Sequence, residues 1–217
     1  MENNSIQTSN ITELFSLKHG IEIKDAEELL AVMEEVHYRK GEILMHEGEV
    51  CSSFYIIKDG LWRGFYMRDG NDTSLWFAYE GETIFSTSGY ISNKPSMVSI
   101  EAMTDSTLYK ISKNELETFF CSSISRANMG RHIFEKEFLA IEEKLINTGS
   151  PQAKERYLKL LEKDPELLKH VPLKHIASYL YVTPQSLSRI RADIAKKYRL
   201  AGLKFFKILY TMKKEKE

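Results

Sequence analysis

The stretch "VPLKHIASYLYVTPQSLSRIRADIAKK", residues 171–197, decides how the last third of this chain is read. Leu173, Ile176, Ala177 and Leu180 stand at i, i+3, i+4 and i+7, the spacing of one apolar face of a short helix. Val182 falls in a turn. Thr183 is suited to cap a second helix, with Pro184 at its first position, where proline's fixed φ and missing N–H do no harm. Leu187, Ile190 and Ile194 supply that helix with its buried face, and the small Ala177 lets the two helices cross closely. The pattern predicts two short helices joined by a tight turn, a helix-turn-helix.

The positions left outside that apolar face then acquire a chemistry. Gln185, Ser188 and Arg189 lie at i, i+3 and i+4 and share one side of the second helix. In a helix-turn-helix the N-terminal side chains of the second helix meet base edges in the major groove. Arginine can bind guanine O6 and N7 with two hydrogen bonds, and glutamine can do the same with adenine. Thr183 and Ser186, at the helix N-terminus, suit phosphate oxygens, and Arg191 further along is assigned to phosphate as well. An ordinary solvated helix would carry a similar mix of residues, so the surroundings have to weigh in.

Charge does so. Residues 1–150 hold 14 Lys+Arg against 24 Asp+Glu, and residues 151–217 hold 16 against 7. The net charges are −10 and +9, which together give the −1 of the whole chain. A basic segment joined to an acidic one points to an acidic partner for the basic part, double-stranded DNA first and an anionic membrane surface second.

The rest of the chain reads as follows. Residues 11 to 37 are expected to be helical, with Gly20 as a stop and Ala26, Leu29, Leu30, Met33 and Val36 as an apolar stripe. From about 40 to 112 the sequence is rich in aromatic and β-branched residues, with glycines at 41, 48, 60, 64, 70 and 81. Asp59-Gly60 and Asp69-Gly70 are hairpin signals, and many short strands at even spacing predict a sandwich or a jelly-roll barrel. Helix returns near Asn114, and "ISRANMGRHIFEKEFLAIEEKLINTG", residues 124–149, reads as one long helix ending at Gly149. Ala127, Phe134, Phe138, Ile141 and Leu145 follow the spacing of a dimer seam, although packing on the chain's own barrel would use the same spacing. Ser150-Pro151 is expected to start another helix, which Asp164-Pro165 ends.

Some classes of protein fit poorly. No apolar run approaches the ~20 residues of a membrane span, and "MENNSIQTSN" lacks the features of a signal peptide, so a cytoplasmic location is expected. Cys51 and Cys121 show neither metal spacing nor a disulfide framework. An iron–sulfur cluster needs about four cysteines, and His19, His37, His46 and His132 sit in no recognisable haem setting. A metal-dependent barrel enzyme would need clustered ligands, and His46-Glu47 is the only such pair in the barrel. We therefore expect no enzyme, no metal and no cofactor.

From end to end the chain resembles the Crp/Fnr superfamily of bacterial transcription regulators. "KGEILMHEG", "FYIIKDG" and "ERYLKLLEKDPELLKHVPLKHIASYLYVTPQSLSRIR" carry the likeness, and the last segment is most similar to Bacteroidetes members. The resemblance implies an α+β fold: an N-terminal cyclic-nucleotide-binding-like β jelly-roll barrel, a long dimerisation helix and a C-terminal winged-helix-like helix-turn-helix domain. The expected boundaries are 1–123, 124–149 and 150–217. It implies a homodimer that reads an inverted repeat, with RNA polymerase as a further partner if the protein activates. By position, Gln185, Ser188 and Arg189 match the base-reading triad of the fumarate–nitrate branch, with Gln185 in place of a glutamate. Pro184 stands where the cyclic-AMP branch has a DNA-contacting arginine, and Tyr181 where the turn usually has glycine. "YRLAGLKFFKILYTMKKEKE" fits a poor wing or a basic terminal helix equally well.

The same resemblance places a candidate effector pocket at Gly81, Glu82, Lys94, Ser96 and Met97. In cyclic-nucleotide barrels a glycine-glutamate pair binds the ribose, and an arginine downstream neutralises the phosphate. Gly81-Glu82 is in place, but Ser96 and Met97 occupy the arginine position and its neighbour. No arginine lies between Arg68 and Arg126, and Lys94 as a substitute lacks the bidentate fork. A buried phosphate is costly when unpaired, so an effector other than cyclic AMP is expected. The alternatives are a cyclic-nucleotide response through Glu82 and Lys94, and a ligand sensor that does not bind DNA.

Overall fold

The structure, a computed structural model, describes residues 3–149, 152–165 and 167–200. The chain divides into two compact units, Met1–Glu142 and Glu143–Glu217, with the boundary inside the longest helix among the described residues.

The first unit opens with α1 (Asn3–His19) and α2 (Ile23–Ala31). Ala26, Leu29 and Leu30 of α2 are buried, as their spacing requires. The helix closes at Val32, and Glu34–Tyr38 is strand β1, where the sequence pattern had suggested helix up to residue 37. The reason is period: Val36 and Tyr38 pack against the core between the sheets while Glu35 and His37 are exposed, an alternation of two.

The remaining strands are β2 (Ile43–Met45), β3 (Phe54–Asp59), β4 (Trp62–Arg68), β5 (Asn71–Ala78), β6 (Thr83–Phe85), β7 (Ser99–Ala102) and β8 (Ser106–Ile111), with the short helix α3 (Thr87–Ser92) between β6 and β7. They form two four-stranded sheets of order β1-β8-β3-β6 and β2-β7-β4-β5, in which every neighbouring pair is antiparallel. This corrects the expected jelly-roll barrel. Among the described residues no strand of one sheet is hydrogen-bonded to a strand of the other, so the sheets face each other with open edges and do not close. Ile57, Trp62, Ile100, Ala102 and Leu108 fill the space between them. β2 and β6 are three residues long, too short to carry a ladder across from one sheet to the other.

The two Asp-Gly signals have different outcomes. Asp69 and Gly70, with φ of +52° and +77°, join β4 to its partner β5 in a true hairpin. Asp59-Gly60 instead passes the chain from one sheet to the other. Gly60 has φ +109°, and a Cβ there would lie 2.1 Å from Ser106 Oγ, so the close approach of β8 requires glycine. On the second sheet the buried Arg63 staples three strands, pairing with Asp72 of β5 at 3.1 Å and Glu101 of β7 at 2.5 Å.

Two helices finish this unit. A capping box of Ser112 and Glu115 starts α4 (Lys113–Cys121). The long helix α5 (Ile124–Thr148) begins with Met129 and Ile133 buried in the core formed by α1, α2, α4 and the first sheet. Phe134 lies half-buried against that core, with its ring 5.6 Å from Tyr90, 5.7 Å from Phe85 and 6.4 Å from Phe54. Phe138, Ile141 and Leu145 are 70%, 52% and 68% exposed.

The second unit holds the end of α5, then α6 (Ala153–Lys163), α7 (Leu167–His170), α8 (Leu173–Tyr179) and α9 (Pro184–Leu200). The N-cap of α6 is Gln152, two residues later than expected, and Ser150 and Pro151 lie outside the described residues. After the break at Asp164-Pro165 the Asp164 carboxylate accepts from Leu167 N at 3.0 Å and starts the single turn of α7. Residues 201–217, on which the wing would fall, also lie outside the described residues.

Candidate nucleic-acid interface and candidate effector site

The turn between α8 and α9 is built from backbone geometry. Val182 N donates to Ala177 O at 3.0 Å and Tyr181 N to Ser178 O at 3.0 Å, the two bonds of a Schellman ending. Tyr181 takes the left-handed conformation with φ +54°, as the place usually held by glycine requires. Thr183 then caps α9: its Oγ1 accepts from Ser186 N at 3.1 Å and donates to Ser186 Oγ at 3.0 Å. Pro184 is the first helical residue, and Leu187, Ile194, Ile176 and Ala177 are buried.

With that face buried, Gln185, Ser188 and Arg189 are all exposed, together with Thr183 and Ser186. The structure thus brings the expected base-reading residues together on the open side of α9. Arg191 is placed differently. It is half-buried, and its guanidinium lies beside the hydroxyl of the fully buried Tyr157. Burial raises that hydroxyl's pKa, and Arg191 works in the opposite direction. Two residues that the sequence reading missed also reach this turn. Arg156 of α6 and Lys144 of α5 touch the last carbonyls of α8, but neither stands in a recognisable motif.

The candidate effector residues are largely engaged with their own loops. Gly81 N donates to Ile57 O, and Gly81 O accepts from His19 Nε2 at 3.1 Å. Glu82 accepts from Tyr79 N at 2.9 Å and pairs with Lys18 at 3.3 Å. Beside it, burial followed by the charge of Glu82 raises the pKa of Glu137 on α5, while a short hydrogen bond from Thr83 lowers it. Ser96 is buried and donates to Val98 O at 2.8 Å. Lys94 and Met97 have exposed side chains, and Lys94 N donates to Ser88 O at the end of α3. Ser86 caps α3 by accepting from Gly89 N at 3.0 Å. A Cβ on Gly89 would lie 2.1 Å from Cys51 O, so the α3 backbone is pressed directly onto the β2–β3 loop.

His19 anchors the start of this segment from α1. It is buried, and its Nδ1 has no hydrogen-bond partner. Burial above all, with Lys18 and Lys136 adding to it and the Gly81 carbonyl opposing, holds its pKa down to about 4. Among the described residues no group of His, Cys, Asp and Glu is placed to hold a metal ion, and no helix is long and apolar enough to cross a membrane.

Comparison with known proteins agrees with this architecture. Residues 35–123 match the family model of the cyclic nucleotide-binding domain. No curated protein matches. Among solved structures, the chain is similar to the c-di-GMP-responsive global regulator CLP of Xanthomonas campestris, with 20% identity and a TM-score of 0.64 over 84% of this chain and 94% of that one. It is similar to FixK2 of Bradyrhizobium japonicum, with 20% identity and a TM-score of 0.63 over 76% and 86% of the two chains. A cyclic nucleotide-binding domain protein of Listeria monocytogenes matches with 15% identity and a TM-score of 0.64 over 80% and 91%. The fold is therefore shared along most of the chain.

Proposed function

We propose that this chain is a homodimeric, sequence-specific DNA-binding transcription regulator of the Crp/Fnr type and not an enzyme, with any small-molecule control exerted by an effector other than cyclic AMP. The observation that carries the reading is the open face of α9, where Gln185, Ser188 and Arg189 stand exposed behind the Thr183 cap. The +9 charge of residues 151–217 supplies the attraction to phosphate. Exposed Phe138, Ile141 and Leu145 on α5 support a second copy of this chain as the partner, because neighbouring large apolar side chains left in water mark an interaction site. Against cyclic AMP stand the inward commitments of Glu82 and Ser96 and the absence of an arginine from Arg68 to Arg126.

Selection from random duplex DNA by the full chain at physiological salt tests this. An inverted repeat is expected, with half-site centres about 34 Å apart or a multiple of that. Arg189→Ala is expected to bind the selected site about 10- to 100-fold more weakly, with relaxed preference at one base pair in each half-site. Wild-type protein that enriches no sequence would sink the reading. The match of residues 35–123 to the cyclic nucleotide-binding domain favours a second reading, a cyclic-nucleotide response through Glu82 and Lys94. Enrichment that sharpens only when cyclic AMP is added would select it.

A further inference from the structure

Two cations meet at the C-terminal end of α8. Arg156 donates from both Nε and Nη2 to Leu180 O, at 3.1 and 3.0 Å. Lys144 donates to Tyr179 O at 3.4 Å, and its ammonium lies 3.2 Å from the centre of the Tyr179 ring and 5.7 Å from that of Tyr181. All of these residues belong to the Glu143–Glu217 unit. The last carbonyls of a helix lack intrahelical donors and carry its partial negative charge, so cations are favoured there.

The arrangement is more than routine capping. Leu180 is the C-cap of α8, and the next residue, Tyr181, holds a left-handed conformation that side chains with a Cβ rarely adopt. Such a residue persists where its surroundings over-determine it. Here the carbonyl before it is gripped twice by one guanidinium, and its own ring faces the Lys144 ammonium. Assembling the pair works against electrostatics: burial, and then repulsion from Arg156, bring the Lys144 pKa down to about 7. The Lys144 amine and the Arg156 guanidinium are thus held together, against that cost, at the joint that leads into α9.

We propose that Lys144 and Arg156 are positioning residues for DNA readout, which fix the Leu180–Val182 turn and so the angle at which α9 presents Gln185, Ser188 and Arg189. This rests on the DNA-binding reading. The competing role for two cations near a groove-binding helix is direct phosphate contact, and salt dependence separates the two, because each lost phosphate contact lowers the salt slope by about one.

The test uses the full chain with Arg156→Lys, Arg156→Met and Lys144→Met. Arg156→Lys keeps the charge and removes the double grip, so it covers the case in which Arg156→Met fails to fold. Two quantities are read: hydrogen exchange at the Tyr181 and Val182 amides without DNA, and the ratio of affinities for the selected site and for random duplex. Exchange about tenfold faster is expected in the folded variants. The affinity ratio should fall about tenfold, the low end of what one bidentate base contact is worth, at an unchanged salt slope. Unchanged exchange or an unchanged ratio overturns the positioning role while leaving the DNA-binding reading intact. A uniform loss of affinity with a shallower salt slope overturns it in favour of phosphate contact. Wild-type protein with no sequence preference removes the DNA-binding reading, and this proposal with it, whatever the exchange rates.

Discussion

At Asn93 and again at Tyr181 the chain leaves a short helix through a left-handed residue, with φ of +51° and +54°. Backbone bonds close both helices, in different registers: Asn93 N to Gly89 O and Lys94 N to Ser88 O at the end of α3, and, beyond the C-cap Leu180, Tyr181 N to Ser178 O and Val182 N to Ala177 O at the end of α8. The polar side chains nearby are spent differently. Around α3 they turn inward, Glu82 on Tyr79 N, Ser86 on Gly89 N and Ser96 on Val98 O, and Gly89 lets the helix backbone touch the Cys51 carbonyl. Beyond Tyr181, Gln185, Ser188 and Arg189 face outward. Both segments leave their helix through a left-handed residue, and the destination of the hydrogen-bond groups distinguishes the sealed one from the presenting one.

The contrast can be broken from either side. The largest effect is expected from Leu187→Ala, which empties a fully buried site beneath the presenting face. The second unit should lose about 3 kcal/mol, measured by urea denaturation, and its DNA preference should fall with the folded fraction. A comparable effect on the sealed side comes from acid. Unfolded His19 takes up its proton near pH 6.5 and folded His19 only near 4. Stability contributed by this group is therefore complete above about pH 6.5 and is lost as pH falls towards 4, by about 3 kcal/mol in all. Urea midpoints of the first unit measured from pH 7.5 to 4 should show this loss, and His19→Gln should remove that part of the slope. Smallest is the pair Asn93→Gly and Tyr181→Gly. Asparagine tolerates the left-handed region, so Asn93→Gly should shift stability by only a few tenths of a kcal/mol. Tyr181→Gly relieves more strain but loses the ring beside Lys144, and coupling to Lys144→Met in a double-mutant cycle would measure that contact.

Local chemistry made the turn between α8 and α9 legible. The Thr183 cap, Pro184 at the first helical position and the buried Leu187 and Ile194 follow from residue type and spacing along one short segment, whereas the left-handed Tyr181 was expected only from the family resemblance. The Asp69-Gly70 hairpin and the length of α5 were legible for the same reason. What failed depended on partners distant in sequence. β1 needed β8 to declare it a strand, Asp59-Gly60 needed Ser106 and the second sheet to show that it is no hairpin, and an open or closed pair of sheets cannot be told from strand spacing. On α5, heptad spacing groups Phe134 with Phe138, Ile141 and Leu145, but it carries no information about the ring cluster of Phe54, Phe85 and Tyr90 that takes Phe134 into its own chain. Arg156 and Lys144 were invisible because their role lies in which carbonyl they reach.

The open edges of the two sheets have a consequence for behaviour at high concentration. An unpaired strand edge is a template on which another chain can add a strand. Here β2 and β6 offer only three residues each, and β1 carries exposed Glu34, Glu35 and His37 along its edge. The long edge strand β5 begins at Asn71-Asp72, and its ladder with β4 is broken by a register shift at Gly64/Phe65. Shortness, charge and irregularity thus guard against the aggregation that closure of the sheets would otherwise have prevented.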